Sequence, residues 1–179
     1  MNASKFLPLV LTAALAGCGG AAGTTATTTT PNVPAQTLAV PLSSSSQNVQ
    51  LPSMNGYGGS MSMPSGSGAV TITMSAQPPS GIPALSVGTA LEYITITASG
   101  APASMSGMPG LSMTMSSMQM NGSVYMAQYI NGAWTTVEGP ASMSGSTANM
   151  AMMTSSGMSS ALQAGESLYF AVYSGSVMP

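Results

Sequence analysis

Charged side chains are almost absent from this sequence. Its 179 residues include one lysine, no arginine, no histidine and three acidic residues. The lysine is Lys5, and the acids are Glu92, Glu138 and Glu166. A chain with so few cations has no basic surface to neutralise the phosphates of a nucleic acid. The composition therefore argues against nucleic-acid binding.

The missing residue types also argue against catalysis. Without histidine or aspartate, no Ser-His-Asp or Cys-His arrangement can form, and the many serines have no recognisable activating base. Zinc and calcium sites need histidine, cysteine or several carboxylates, which three dispersed glutamates do not supply. Glu138 and Glu166 precede or follow a glycine in turn-like sequences, and Glu92 lies at the start of a predicted strand. We interpret all three as solvated carboxylates rather than a glycosidase pair, and we predict neither enzyme activity nor a cofactor.

The single cysteine, Cys18, follows an apolar run from Phe6 to Ala16 and a short polar start that contains Lys5. This is the layout of an export signal. The run is shorter than the roughly 20 residues that span a bilayer, and Pro8 interrupts it. We therefore predict a signal peptide over residues 1–17 rather than a transmembrane helix.

The four residues Leu15-Ala16-Gly17-Cys18 resemble the lipobox of bacterial lipoproteins. The resemblance implies cleavage before Cys18 and a diacylglycerol on its thiol, which is the strongest nucleophile in the chain. Two or three acyl chains provide stable membrane anchoring. The residue after the cysteine is Gly19, not aspartate. In bacteria with two membranes, that pattern implies the outer membrane rather than the inner one.

Residues 18–50 are rich in alanine, threonine, proline and serine. Such segments bury little apolar area to offset the loss of chain entropy and tend to be extended. We predict a lipid-anchored linker over 18–50 and one folded domain over 51–179.

The periodicity of the folded domain is two, which predicts β-strands. Apolar and polar residues alternate in 70–74, 91–97, 111–116, 148–152 and 168–172. Asn131-Gly132 separates two further strand-like runs and predicts a type I′ hairpin turn. Short strands between Gly/Pro/Ser loops favour an antiparallel, immunoglobulin-like β-sandwich, with a small β-barrel as the alternative.

The closing third of the chain resembles uncharacterised β-sandwich domains of secreted bacterial lipoproteins. The resemblance rests on Tyr125, the run 131–134, Gly139-Pro140-Ala141 and the run 164–173. It implies the sandwich fold and brings no activity with it.

Methionine is unusually frequent, with 18 residues. Five occupy strand positions that ordinarily hold Val, Ile or Leu, and we predict that they fill the core: Met74, Met113, Met115, Met150 and Met152. Others lie in Gly/Ser/Pro sequences that we predict to be exposed loops, among them the four candidate Cu(I) ligands Met61, Met63, Met105 and Met108. Thioethers suit Cu(I) and also consume oxidants.

Several aromatic residues share strand parity, namely Tyr125 with Tyr129 and Tyr169 with Tyr173, while Trp134 lies across the hairpin. We favour cross-strand pairs that stabilise a sheet over a stacking face for sugars or a protein.

The functional prediction is a lipid-anchored envelope protein with a structural or interaction role. Its expected partners are the membrane, through Cys18, and an envelope protein or glycan. The alternative is a methionine-rich Cu(I)-binding or oxidant-buffering lipoprotein.

Overall fold

The computed structural model of the protein describes residues 33–54, 56–114, 123–151 and 161–178. Within these ranges the secondary structure consists of strands and turns, without a helix. All strand pairs are antiparallel, and the sheets do not close on themselves. The predicted all-β antiparallel sandwich is therefore confirmed, and the barrel alternative is wrong. The narrower immunoglobulin-like assignment stays a prediction.

Fourteen strands are present in the described ranges. In chain order they are β1 (Gln36–Pro41), β2 (Gln47–Met54), β3 (Tyr57–Met63), β4 (Gly66–Ser67), β5 (Ala69–Ser75), β6 (Thr89–Ala98), β7 (Ala103–Met105), β8 (Gly110–Thr114), β9 (Val124–Ile130), β10 (Ala133–Glu138), β11 (Ser142–Ser144), β12 (Thr147–Ala151), β13 (Ala161–Leu162) and β14 (Ser167–Ser174).

The strands form two large sheets and one small one. The six-stranded sheet has the order β1-β5-β6-β14-β9-β10, and the five-stranded sheet has the order β11-β12-β8-β3-β2. The small sheet joins β13, β7 and β4. Each large sheet combines strands that are distant in the sequence, so its register depends on tertiary contacts as well as on local turns.

The predicted alternation is confirmed in the strands that form the core. Val70, Ile72 and Met74 of β5 are buried, and so are Leu168 and Phe170 of β14. Because successive side chains of a strand point to opposite faces, each strand places one apolar row between the sheets. A single apolar cluster draws residues from both large sheets. Fully burying one Leu, Ile, Phe or Met side chain contributes about 1.5–3 kcal/mol.

The aromatic residues form a second cluster on the other face of the six-stranded sheet. It contains Tyr93, Trp134 and Tyr173, against which Leu85 and Met178 pack. The rings meet as cross-strand neighbours, because Tyr173 is opposite Tyr125 and the two ring centroids lie 5.6 Å apart. The interpretation of the aromatics as sheet-stabilising pairs is therefore confirmed for this pair.

Two hydrogen bonds connect this face of the sheet to the segments around Leu85 and Met178 that pack on it. The Trp134 indole N–H donates to the carbonyl oxygen of Pro83 over 2.7 Å. The backbone N–H of Met178 donates to the hydroxyl of Thr136, also over 2.7 Å. These segments cover this face around the aromatic cluster, which explains why Tyr93 is buried on the side that its alternation with Thr95 and Thr97 marks as polar.

Part of the predicted linker is sheet. Strand β1 pairs with β5 along its whole length, from Gln36 opposite Met74 to Pro41 opposite Ala69. Strand β2 begins at Gln47. The Thr/Ser/Pro-rich composition suggests an extended chain, but an extended chain can also pair with the edge of a sheet. The folded domain therefore begins before residue 51.

The Asn131-Gly132 hairpin matches its prediction. Asn131 has a φ of 52° and Gly132 a φ of 86°, and the turn places Ile130 opposite Ala133. Both values lie in the left-handed region that a type I′ turn requires.

We predict that Gly132→Val lowers the free energy of unfolding by about 1–3 kcal/mol, because a β-branched residue is strained at positive φ. Urea unfolding measures the change. Gly107→Val is the matched control, since Gly107 also faces open space but is not among the positive-φ glycines. Equal losses in the two variants would contradict the hairpin argument.

Candidate functional site

In the part of the chain that the structure describes, the outer face of the five-stranded sheet carries mainly uncharged polar residues and glycines. One residue from each strand forms a row across its centre, because Gln50 is opposite Ser60, Ser60 opposite Ser112, Ser112 opposite Asn149 and Asn149 opposite Ser142. The flanking positions on the same face are Asn48, Gly58, Ser62, Gly110, Thr114, Ser144 and Thr147. We call these twelve residues the polar face.

Sheet geometry fixes the spacing of these groups. Neighbouring strands lie about 4.7–4.9 Å apart, and alternate residues of one strand lie about 7 Å apart. Some of the groups bond within the face: the Ser112 hydroxyl donates to Oδ1 of Asn149 over 2.8 Å, and Nε2 of Gln50 donates to the carbonyl oxygen of Gly59 over 2.7 Å. The result is a regular array of hydroxyl and amide groups, which both donate and accept hydrogen bonds.

A shallow groove of about 460 Å³ crosses the polar face. Its lining residues are Asn48, Ser60, Ser62, Gly110, Leu111, Ser112, Asn149 and Met150. Gly110 keeps the groove open, because a Cβ at this position would meet only the Cβ of Ser62, at 3.7 Å. A larger side chain at Gly110 would therefore fill the groove without a backbone clash.

The polar face is partly predictable from the sequence. Alternating Ser and Met in β3 and β8 predicts one polar face for each strand. Which polar faces adjoin could not be read from the chain, because β8 pairs with β3 and with β12 across long sequence separations.

The prediction that the glutamates are solvated holds for Glu166 but not for Glu92. Glu166 is exposed in a turn, where its Oε2 accepts the backbone N–H of Gln163 over 2.8 Å. Glu92, in contrast, is 0% exposed in the core between the large sheets. The prediction of a solvated Glu92 is wrong because Glu92 shares strand parity with Ile94 and Ile96, the inward-facing residues of β6.

Glu92 has no counter-ion among the described residues. Both carboxylate oxygens are buried without a hydrogen bond. Burial raises the pKa of Glu92 to about 7, although the nearby backbone amide of Ser75 acts in the opposite direction. Burial, and secondarily the charge of the Glu92 carboxylate, also raise the pKa of Tyr57.

The four candidate copper ligands are not the exposed loop residues that the sequence predicts. Met61 and Met63 lie in β3 with 0% exposure, and Met105 lies in β7 with 3%. Met108 is half-buried. The Gly/Ser/Pro sequences around them suggest loops, but pairing with neighbouring strands converts most of these positions into core.

The prediction that methionines fill the core is confirmed for Met74, Met113 and Met150, which are buried. Met115 and Met152 fall outside the described residues. Met143, on the edge strand β11, is 45% exposed. Cys18 also lies outside the described residues, so its lipidation stays a prediction.

We predict that the free energy of unfolding falls between about pH 4.5 and pH 7 because of Glu92. The pKa in the folded state, about 7, lies above the ordinary value of 4.5, so the folded state holds the proton more tightly than the unfolded chain. The stabilisation is complete below pH 4.5 and is lost as the pH rises to about 7, with a total on the order of 3 kcal/mol.

Urea unfolding at several pH values measures this slope. Glu92→Gln should flatten it, while Glu166→Gln, which changes an exposed carboxylate, should leave it in place. A Glu92→Gln variant with the same slope as the parent would show that Glu92 is not the titrating group.

No helix capable of spanning a bilayer occurs in the described part of the chain. Comparisons with protein-family models, with curated proteins and with solved structures found no match to this chain. The functional proposal therefore rests on the signal-like sequence before Cys18 and on the chemistry of the described surfaces.

Proposed function

We propose that this protein is a lipid-anchored component of the bacterial cell envelope, at the outer membrane, with a binding role for which the polar face is the contact surface. The anchor rests on the lipobox-like Leu15-Ala16-Gly17-Cys18. The binding role rests on one observation, the continuous row of uncharged hydrogen-bonding side chains across all five strands of one sheet.

An uncharged glycan fits this surface better than an envelope protein does. The centres of protein interfaces are enriched in aromatic residues, methionine and arginine, and their binding energy is concentrated in a few such anchors. None of the twelve residues of the polar face is of these types, although Met150 contributes to the lining of the groove. A glycan presents hydroxyl groups in a regular repeat, and the hydroxyl and amide groups of the face complement them without needing charge.

The alternative of exposed methionines acting as Cu(I) ligands or oxidant traps loses its main support. It depended on Met61, Met63 and Met105 being accessible, and all three are buried. Buried thioethers react slowly with oxidants, because oxidation follows exposure.

We predict that Cys18→Ser moves the protein from the detergent phase to the aqueous phase in a phase-partition assay, because the acyl chains supply the membrane affinity. Mass spectrometry of the parent should show the lipid on the processed N-terminus at Cys18. A parent protein without lipid mass would refute the anchor and leave the binding role to be judged separately.

We predict that Gly110→Leu reduces retention on an insoluble neutral polysaccharide, because the new side chain fills the groove of the polar face. The probes are cellulose, starch and chitin, tested with the Cys18→Ser chain so that lipid does not contribute. The control is Gly107→Leu, which adds the same side chain in open space away from the face.

Retention of the parent and the control on one polysaccharide, with loss in the Gly110→Leu variant, supports the glycan proposal. Equal retention of all three proteins, or no retention on any probe, would overturn it.

A further inference from the structure

A second depression lies on the five-stranded sheet, near the turn between β2 and β3. Its volume is about 360 Å³, and we call it the hollow. Among its lining residues, Gln50, Gly58 and Thr114 belong to the polar face. The hollow and the groove therefore share one surface.

The groove and the hollow follow one another along the same two strands. On β3, Ser62 lines the groove and Gly58 lines the hollow. On β8, Gly110 lines the groove and Thr114 lines the hollow. Ser62 is opposite Gly110, and Gly58 is opposite Thr114. Because four residues of a strand span about 13 Å, a single sugar ring is too short to occupy both depressions.

Polar groups continue between the two depressions. Ser60, which lies midway between Gly58 and Ser62, is opposite Ser112, and both serines line the groove. Beside them, Gln50 is held in place because its Nε2 donates to the carbonyl oxygen of Gly59 over 2.7 Å. An amide that donates through its nitrogen keeps its oxygen as an acceptor. The path from the groove to the hollow therefore carries hydrogen-bonding groups.

A glycine keeps each depression open. A Cβ at Gly110 would meet only the Cβ of Ser62, and a Cβ at Gly58 would meet the hydroxyl oxygen of Ser53 at 2.8 Å. Gly58 is not among the positive-φ glycines. A larger side chain at Gly58 can therefore fill the hollow by displacing the short side chain of Ser53, without a backbone clash.

The surroundings of this path are uncharged. The described residues include no lysine or arginine. Glu92 and Glu138 belong to the six-stranded sheet, in β6 and β10, and Glu166 lies in a turn. An anionic polymer would find no cation on the polar face, whereas hydroxyl and amide groups suit a neutral one.

We propose that the ligand of the polar face is a linear neutral polysaccharide, bound as an extended segment of several sugar rings that lies along β3 and β8. The segment fills the groove and the hollow together. This inference rests on the proposed function and specifies the form of the glycan, which is a stretch of polymer rather than a single sugar.

Titration calorimetry with the Cys18→Ser chain measures how the affinity depends on ligand length. The probes are soluble cello-oligosaccharides, malto-oligosaccharides and N-acetyl-chito-oligosaccharides, each from the single sugar to the hexasaccharide. In the series that binds, we expect the hexasaccharide to bind about tenfold or more tightly than the disaccharide, because it adds hydrogen bonds in the second depression.

Variants test the two depressions separately. Gly58→Leu and Gly110→Leu should each weaken binding of the hexasaccharide by about tenfold, because each fills one depression. Gly107→Leu, which adds the same side chain in open space, should retain the parent affinity. Thr114→Val removes a hydroxyl from the hollow without adding bulk, and it should weaken hexasaccharide binding by about threefold or more. This variant keeps the test decisive if Gly58→Leu does not fold.

The outcomes separate this inference from the glycan role itself. Equal affinity of the parent for short and long oligosaccharides would overturn the inference and leave the glycan role intact. The same holds if Gly110→Leu weakens binding while Gly58→Leu, or Thr114→Val in its place, binds the hexasaccharide as the parent does. Retention on an insoluble polysaccharide without binding of any hexasaccharide would also overturn it, because that result indicates recognition of a packed surface rather than a single chain. A parent that binds neither oligosaccharides nor polysaccharides would overturn both proposals.

Discussion

The fold depends on the apolar layer between the two large sheets. Each strand contributes alternate residues to this layer, and a shift of one residue in register would exchange the buried and exposed rows. In β3 such a shift would expose Met61 and Met63 and bury Ser60 and Ser62. The register is therefore strongly determined even though many strands contain glycine and serine.

On the five-stranded sheet, methionine supplies most of the large apolar side chains of this layer. Its flexible side chain fills irregular space between the sheets, so strands of low β-propensity such as Tyr57–Met63 still contribute a continuous apolar row. The high methionine content thus has a structural explanation for Met61, Met63, Met105 and Met150. Met54, Met74, Met113 and Met126 are buried in the same layer and serve the same packing role.

The two large sheets differ in what covers them. The six-stranded sheet packs on the core with one face, and the segments around Leu85 and around Met178 cover the aromatic part of its other face. The five-stranded sheet covers the core with one face and presents hydroxyl and amide groups on the other. This asymmetry is what makes the polar face, rather than the aromatic cluster, the candidate contact surface. The lack of a counter-ion for Glu92 follows from the composition, because a chain with almost no basic side chains cannot supply a cation to a carboxylate that faces the core.

Local patterns in the sequence were sufficient to determine the strand character, the Asn131-Gly132 turn and the inward residues of β5 and β14, because alternation and turn geometry depend on neighbouring residues alone. Sequence reasoning also excluded the catalytic arrangements that need histidine or aspartate. Only the tertiary structure decided that Met61 and Met105 are buried, because these residues have loop-like neighbours and become core through pairing with other strands. It likewise decided that Gln50, Ser60, Ser112, Asn149 and Ser142 form one row, because the row depends on how strands far apart in the chain are placed side by side.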